Sequence, residues 1–191
     1  MSSNALSSPI IAYEPNFLSS HAVALLLNPL MDPASTIWQS ETFQLFGKRT
    51  PVPRRLAWFG DEGVNYRYTR LNHLASGWPE YLLALKVQIC ERFDLEFNFV
   101  LLNRYDHGCQ YMGWHRDDEK AAAPVIASLS IGDTRRFCYR QDPDVKAEEI
   151  NLTSGSLLVF DGRCQHKLAK TAKLVGPRIN LTFRYIAQAS R

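Results

Sequence analysis

The segment Gly113-Trp114-His115-Arg116-Asp117 sets an imidazole and a carboxylate two residues apart. In an extended chain, residues i and i+2 project to the same side, so His115 and Asp117 can offer a nitrogen and an oxygen ligand side by side. A bare His-x-Asp pair is weak, since most such pairs bind nothing. It gains weight from His166, which follows a strand-like stretch, Leu157–Phe160, and an Asp161-Gly162 turn. Two histidines and one carboxylate make the facial set of non-haem iron(II) oxygenases, which leaves metal positions open for a co-substrate and O2. The other histidines lack this context. His107 sits in an Asp-His-Gly turn and reads as a surface residue, while His21 and His73 have no partner in sequence. Cys164, close before His166, would suit zinc better than an oxygenase iron and is left out of the set.

The last strand-like stretch reads Pro177-Arg178-Ile179-Asn180-Leu181-Thr182-Phe183-Arg184. Alternation puts Arg178, Asn180, Thr182 and Arg184 on one face, and Ile179, Leu181 and Phe183 on the other. One reading is a surface strand with its polar side in water. The other is an anion pocket. A pair of guanidiniums and an amide on one face suit a dicarboxylate, because arginine grips carboxylate through a bidentate fork. Asn103-Arg104-Tyr105 offers an amide and a phenol at the same spacing.

Such groups need strands to hold them. Short strands are predicted over Phe97–Tyr105, Val125–Ile131, Arg136–Tyr139, Ser156–Phe160 and Ile179–Ile186. They are punctuated at Gly108, Gly132-Asp133, Gly155 and Asp161-Gly162. A helix capped by Ser19 or Ser20 should run to about Leu30, with Ala22, Leu25, Leu26 and Leu27 as its apolar stripe and Pro33 as its stop. A second helix should run from Pro79 to Phe93, where Leu82, Leu85, Ile89 and Phe93 recur at helical spacing. Many short strands after a few helices suggest a sandwich, jelly roll or barrel with helices on one face.

The 191 residues suffice for one domain with a real core. Hydrophobic residues at 46% and charged residues at 21% place the chain among ordinary soluble globular proteins. No stretch approaches the roughly 20 apolar residues of a membrane span. Met1–Ser8 is polar and Ser-rich, so it reads as a tail and not as a signal peptide. Cys90, Cys109, Cys138 and Cys164 form no CxxC pair and read as free thiols in a reducing compartment. A net charge of +3 names no partner by itself. Yet Lys48, Arg49, Arg54, Arg55, Arg67 and Arg70 cluster among Phe46, Trp58, Phe59, Tyr66 and Tyr68. That mixture suits a phosphate backbone with stacked bases, and equally a solvated basic face over core aromatics.

In combination, these segments resemble the AlkB family of 2-oxoglutarate dioxygenases. The matching elements are Asn103-Arg104-Tyr105, His115-Arg116-Asp117-Asp118-Glu119, Pro124 to Ser130, His166, and Arg178 to Arg184, in the family's order and at similar spacing. The resemblance runs from about Tyr13 to Ile186, and the joint match is specific where no single motif is. Leu45-Phe46-Gly47-Lys48, Val52-Pro53-Arg54, Gly60-Asp61, Tyr66 and Tyr68 resemble in particular the branch of the second human AlkB homologue and its bacterial relatives. The resemblance implies a mainly β fold, a double-stranded β-helix (jelly roll) with flanking N-terminal helices and a nucleic-acid-recognition hairpin. The expected layout is a disordered tail over 1–12, a single domain over 13–186, and a tail over 187–191. Within the domain, 13–95 would be an N-terminal extension with recognition hairpins and 96–186 the catalytic jelly roll.

Carried over by resemblance, His115, Asp117 and His166 hold Fe(II). Arg178 with Tyr105 seats the distal carboxylate of 2-oxoglutarate, Asn103, Asn180 and Arg184 serve its metal-proximal end, and Thr182 belongs to the same co-substrate site. Glu119 stands near the substrate base. Tyr68 stacks on the flipped base, where relatives carry Phe, and Arg54 and Tyr66 support it. Gly47 and Lys48 belong to the hairpin turn. Phe46 breaks the alternation of Thr42 to Leu45 at that turn. An apolar side chain at an exposed tip can serve as a wedge in a base stack, or can pack under a neighbouring loop. The implied activity is repair of 1-methyladenine and 3-methylcytosine in single- and double-stranded alkylated DNA, consuming O2 and 2-oxoglutarate and releasing succinate, CO2 and formaldehyde. The alternatives are RNA demethylation, another 2-oxoglutarate oxygenase of the same fold, or a non-catalytic metal or nucleic-acid binding module. The chain is expected to be a monomer without a membrane partner. The lack of a basic import run favours a bacterial cytoplasmic setting over a nuclear one.

Overall fold

The structure, a computed structural model, describes residues 8–45, 48–68 and 71–188. In chain order its N-terminal half holds β1 (Ile10–Glu14), α1 (Ser20–Met31), β2 (Thr42–Leu45), β3 (Lys48–Pro51), β4 (Arg55–Gly60), β5 (Asn65–Tyr68), β6 (Leu71–Leu74) and α2 (Glu80–Phe93). The rest is strand: β7 (Phe99–Tyr105), β8 (Met112–His115), β9 (Val125–Gly132), β10 (Arg135–Arg140), β11 (Glu148–Leu152), β12 (Ser156–Asp161), β13 (Gln165–Leu168) and β14 (Arg178–Arg184).

Both helices start and stop for local reasons. Ser19 caps α1 by accepting from the Ala22 N–H at 3.2 Å, and the helix ends at Met31, just before Asp32 and Pro33. Its buried stripe is Val23, Leu26 and Leu30, one residue round from the expected one, so Leu25 stands 58% exposed. Pro79 is the N-cap of α2 and not its first turn. Leu82, Leu85 and Ile89 are buried as their spacing predicts, and Asp94 closes the helix in the left-handed region at φ 51°.

The strands form a six-stranded sheet, β1-β12-β9-β14-β7-β4, facing a four-stranded one, β11-β10-β13-β8. All pairings within both sheets are antiparallel. Two hairpins, β2-β3 and β5-β6, stand apart from both sheets. This is the mainly β, jelly-roll arrangement expected from the strand spacing, with helices on one side.

The larger sheet is buried on both faces, which is why β12 reads as an unbroken apolar run through Leu157, Leu158, Val159 and Phe160. One face packs Leu102, Leu129, Leu157, Ile179, Leu181 and Phe183 against Leu26, Leu30, Leu82, Leu85 and Ile89 of the helices. The opposite face turns toward the smaller sheet, where Ile126, Leu158 and Phe160 meet Phe137, Tyr139 and Leu152. A third cluster, with Val64, Tyr66, Ala75, Phe99 and Leu101, seats the β5-β6 hairpin on the larger sheet. Gly132 ends β9 at φ 90°, where any Cβ would strike the Pro177 carbonyl oxygen.

The expected layout needs correction at its boundaries. The tail over 1–12 ends early, because Ile10–Glu14 pairs with β12 as an edge of the larger sheet. Nor does the fold divide at residue 95. Strand β4 pairs with β7, and Leu56 and Ala57 are buried at 0% and 1% exposure, so the N-terminal segment completes the catalytic sheet. Phe46 and Gly47 lie outside the described residues, as do the side chains of Lys48 and Tyr68.

Candidate metal centre and anion pocket

Strands β8 and β13 are neighbours, and their register sets His115 directly opposite His166. The two imidazole centroids are 4.2 Å apart. Asp117 lies just past the end of β8, and its N–H donates to the Gly162 carbonyl at 2.8 Å, which turns the carboxylate back toward both rings. Gly162 permits that approach. A Cβ there would meet Ile126 at 2.5 Å and the Asp117 Cβ at 3.1 Å. One ligand atom from each of His115, Asp117 and His166 falls within 4.8 Å of the others.

The proton positions suit a cation. His115 Nδ1 is 2.9 Å from the Gly113 carbonyl and His166 Nδ1 is 3.0 Å from the Cys164 carbonyl. A carbonyl only accepts, so each Nδ1 carries a hydrogen and each Nε2 is the ring atom that faces Asp117, the atom a neutral ring would offer to a metal. Burial, reinforced by the neighbouring His166, pulls the His115 pKa down to about 4, which keeps that ring neutral as a metal ligand must be. Burial works against the Asp117 charge, but Arg184 and His166 outweigh it and hold the carboxyl well below the usual carboxylate range. Arg184 Nη2 donates to Asp117 Oδ2 at 2.7 Å, while Asp117 Oδ1 is buried and has no hydrogen-bond partner among the described residues. An unpartnered carboxylate oxygen beside two imidazole lone pairs fits a divalent metal.

The polar face of β14 does not look into water. Arg178, Thr182 and Arg184 are 2%, 8% and 3% exposed, which rules out the surface-strand reading. They line a pocket between the sheets with Asn103, Tyr105, His115, Asp117, His166 and Asn180. Register explains the grouping, since Arg178 pairs with Tyr105 and Asn180 with Asn103 across β14 and β7. Arg178 Nη2 donates to Ser130 Oγ at 2.8 Å, and its Nε is buried without a partner among the described residues. Burial lowers its pKa to about 10, so it stays a cation at neutral pH. A fully buried guanidinium without a carboxylate partner among the described residues is costly unless an anion arrives.

Other expected residues are placed differently. Arg184 is bound to Asp117 and lies over Tyr66, with 5.4 Å from its Cζ to the ring, so its Nη2 fixes a metal ligand while its buried Nε has no partner among the described residues. Asn180 donates to Ser128 Oγ at 2.8 Å and to the Leu129 carbonyl at 3.0 Å, and Thr182 Oγ1 donates to the Leu101 carbonyl at 2.8 Å. Arg54 is 5% exposed and donates to Asn103 Oδ1 at 2.6 Å, which makes it a support of the pocket wall and not a surface cation. Tyr66 is 1% exposed, so the aromatic content of the basic segment is partly core. Glu119 is half-buried; burial and then Asp117 push its carboxyl up, against Arg184 and a hydrogen bond from Tyr66. His107 is exposed in a turn, as expected, and Cys164 is a buried free thiol.

Sequence reasoning passed over Arg135, Ser128 and Ser130. Arg135 is 2% exposed, its Cζ lies 6.0 Å from the Tyr105 ring, and its Nη2 donates to the Gly108, Gln110 and Ala169 carbonyls. It thereby pins the loops under Tyr105. The serines were legible: they alternate as the polar residues of an otherwise apolar β9 and hold Asn180 and Arg178.

Comparison with known proteins agrees with this geometry. Residues 11–184 match the model of the 2OG-Fe(II) oxygenase superfamily. The chain is 38% identical over 157 residues to "DNA oxidative demethylase ALKBH2" of Mus musculus, covering 75% of this chain and 66% of that one. It is 37% identical to the Homo sapiens protein of that name, covering 75% and 60%. It is also 37% identical over 150 residues to "Alpha-ketoglutarate-dependent dioxygenase alkB homolog 3" of Bos taurus, covering 70% and 52%. The chain thus spans between about half and two thirds of the length of these relatives. Among solved structures, that of OsALKBH1 superposes with a TM-score of 0.68 at 18% identity, covering 94% of this chain and 99% of that one, a likeness of fold.

Proposed function

Because the chain belongs to the 2OG-Fe(II) oxygenase superfamily and is AlkB-like in sequence, we propose that it removes methyl groups oxidatively from N-alkylated bases in DNA. The observation that carries the reading is the convergence of His115, Asp117 and His166 in one pocket with a buried Arg178 that has no carboxylate partner among the described residues. Bound Fe(II) with 2-oxoglutarate and O2 would supply an oxygen atom to the N-methyl carbon while 2-oxoglutarate becomes succinate and CO2, and the hydroxymethyl product then releases formaldehyde and the restored base.

The residues of the chain do the rest. His115 and His166 present their Nε2 atoms, and Asp117 presents Oδ1 while Arg184 immobilises Oδ2. Arg178 meets the distal carboxylate of the co-substrate, with the Tyr105 phenol at the same end, 5.7 Å from the guanidinium to the ring. Asn103, oriented by Arg54, lines the wall between that end and the metal. Tyr66 of the β5-β6 hairpin lies against Arg184 and reaches Glu119 at the metal side of the pocket. The favoured substrates, 1-methyladenine and 3-methylcytosine, are cationic, so the Glu119 carboxylate and a stacking Tyr68 select them over neutral bases. Their weakened pairing lowers the cost of flipping. DNA, single- or double-stranded, is the proposed partner, with the protein acting as a monomer.

The decisive test is mass spectrometry of a 3-methylcytosine oligodeoxynucleotide incubated with protein, Fe(II) and 2-oxoglutarate. Loss of one methyl group with stoichiometric succinate supports the reading. Succinate with an RNA oligonucleotide alone would transfer the activity to RNA, and no succinate with either would end it.

A further inference from the structure

His73 is fully buried, at 0% exposure, and the metal chemistry does not use it. It sits on β6, with Nδ1 3.1 Å from the main-chain oxygen of Tyr66 on β5 and Nε2 2.7 Å from Oε1 of Glu41. Its ring packs edge-on against Trp58 of β4, with centroids 4.5 Å apart. The Tyr66 oxygen only accepts, so Nδ1 carries a proton. Nε2 and Glu41 then share a second one, as imidazolium with carboxylate or as imidazole with carboxylic acid. Filling this space requires no polar pair, since apolar side chains of similar volume are often equally stable there. What the pair adds is direction, because it bonds in one geometry only.

That geometry joins three elements. Glu41 stands at the root of the β2-β3 hairpin, where its main-chain oxygen accepts from the Val52 N–H at 2.8 Å. His73 passes the connection to Tyr66, whose ring lies against Arg184, which in turn holds Asp117 at 2.7 Å. We propose that Glu41 and His73 are positioning residues that lock the root of the β2-β3 hairpin to the β5-β6 hairpin, so that the base of the nucleic-acid-binding hairpin is held in register with Tyr66 and, through it, with the metal-side pocket. The proposal rests on the nucleic-acid reading above for its purpose, though not for the existence of the lock.

The test compares wild type, Glu41→Leu combined with His73→Leu, and Glu41→Gln. The double variant removes both polar groups together, whereas Glu41→Gln keeps a hydrogen bond without the charge. Three quantities are measured: kcat and KM on a 3-methylcytosine duplex, anisotropy with an unmodified duplex, and amide hydrogen exchange. The double variant should raise KM and Kd about tenfold, the worth of one buried charge-assisted hydrogen bond, with kcat within about twofold of wild type. Amides of β2-β3 should exchange faster while those of β7, β9 and β14 do not. Glu41→Gln should restore both readouts. A folded double variant with wild-type KM, Kd and hairpin exchange overturns the proposal. If wild type demethylates nothing, the functional reading fails and hydrogen exchange alone decides the lock. If the double variant does not fold, His73→Gln takes its place with the same readouts.

Discussion

Asp117 is asked to do two things, and its two oxygens divide the work. Oδ2 neutralises the buried Arg184, and Oδ1 is left for the metal. His115 has one task, and its side chain is 25% exposed where that of Asp117 is 4% exposed. Substituting the two should therefore give different phenotypes. Both His115→Ala and Asp117→Ala should abolish turnover and Fe(II) binding, read by calorimetry with Fe(II) or Mn(II). Asp117→Ala alone should also strand the Arg184 charge. That costs about 3–5 kcal/mol, or a fall in Tm on the order of 10 °C for a domain of this size. Equal melting temperatures for the two variants would show that Arg184 does not depend on Asp117. Arg178 behaves oppositely, as a cation that waits for its anion. Arg178→Ala should raise the KM for 2-oxoglutarate about tenfold to a hundredfold, the value of one charge-assisted contact, and leave Fe(II) affinity intact. An unchanged KM would remove Arg178 from the co-substrate site.

Elements decide which of these side chains meet. The i, i+2 spacing in β14 was readable and correctly sorted Arg178, Asn180, Thr182 and Arg184 from the apolar residues. It could not say which face met water, because alternation defines two faces without assigning either to the core. A sheet covered on both sides settled that, and only the pairing with Tyr105 and Asn103 made the face a pocket. The meeting of His115 with His166 was legible as chemistry and illegible as geometry. It depends on a β8-β13 register between strands of four residues each, too short to announce themselves by pattern. Arg54 was expected to support the base; its burial and its bond to Asn103, which spacing along the chain could not announce, place it at the pocket wall. Gly162 shows how a turn controls the centre. Gly162→Ala would push against Ile126 and the Asp117 Cβ, so it should weaken Fe(II) binding while leaving the protection of Arg178 from covalent labelling by 2-oxoglutarate in the absence of metal unchanged. Wild-type metal affinity in that variant would mean that the Asp117 backbone has room to adjust. At the hairpin, Phe46→Ala should harm repair of duplexes more than of single strands, and equal losses would reject the wedge.

For the molecule as a whole, the site is a deliberate weakness in an otherwise apolar interior. The two sheets enclose Arg135, Arg178 and Arg184, each 3% exposed or less, against one neutralising carboxylate, Asp117, among the described residues. A jelly roll filled with apolar side chains would be more stable, so part of its stability must be restored by what it binds. On the proposed reading, metal alone would satisfy Asp117 Oδ1 and the co-substrate alone would satisfy Arg178, both in the lining of one pocket. Each ligand should therefore raise Tm, and their joint effect should exceed the sum, because one molecule of 2-oxoglutarate then reaches both the metal and Arg178. A ligand at about a hundred times its Kd adds about 2.7 kcal/mol, which corresponds to roughly 5–10 °C here. Differential scanning fluorimetry with Mn(II), 2-oxoglutarate, both, and both plus a chelator measures this without any turnover. Arg178→Ala should keep the Mn(II) shift and lose the excess, and His115→Ala should lose the Mn(II) shift and the excess together. If the two ligands shift Tm independently in wild type, the metal centre and the guanidinium do not share a bridging ligand, and the co-substrate lies elsewhere.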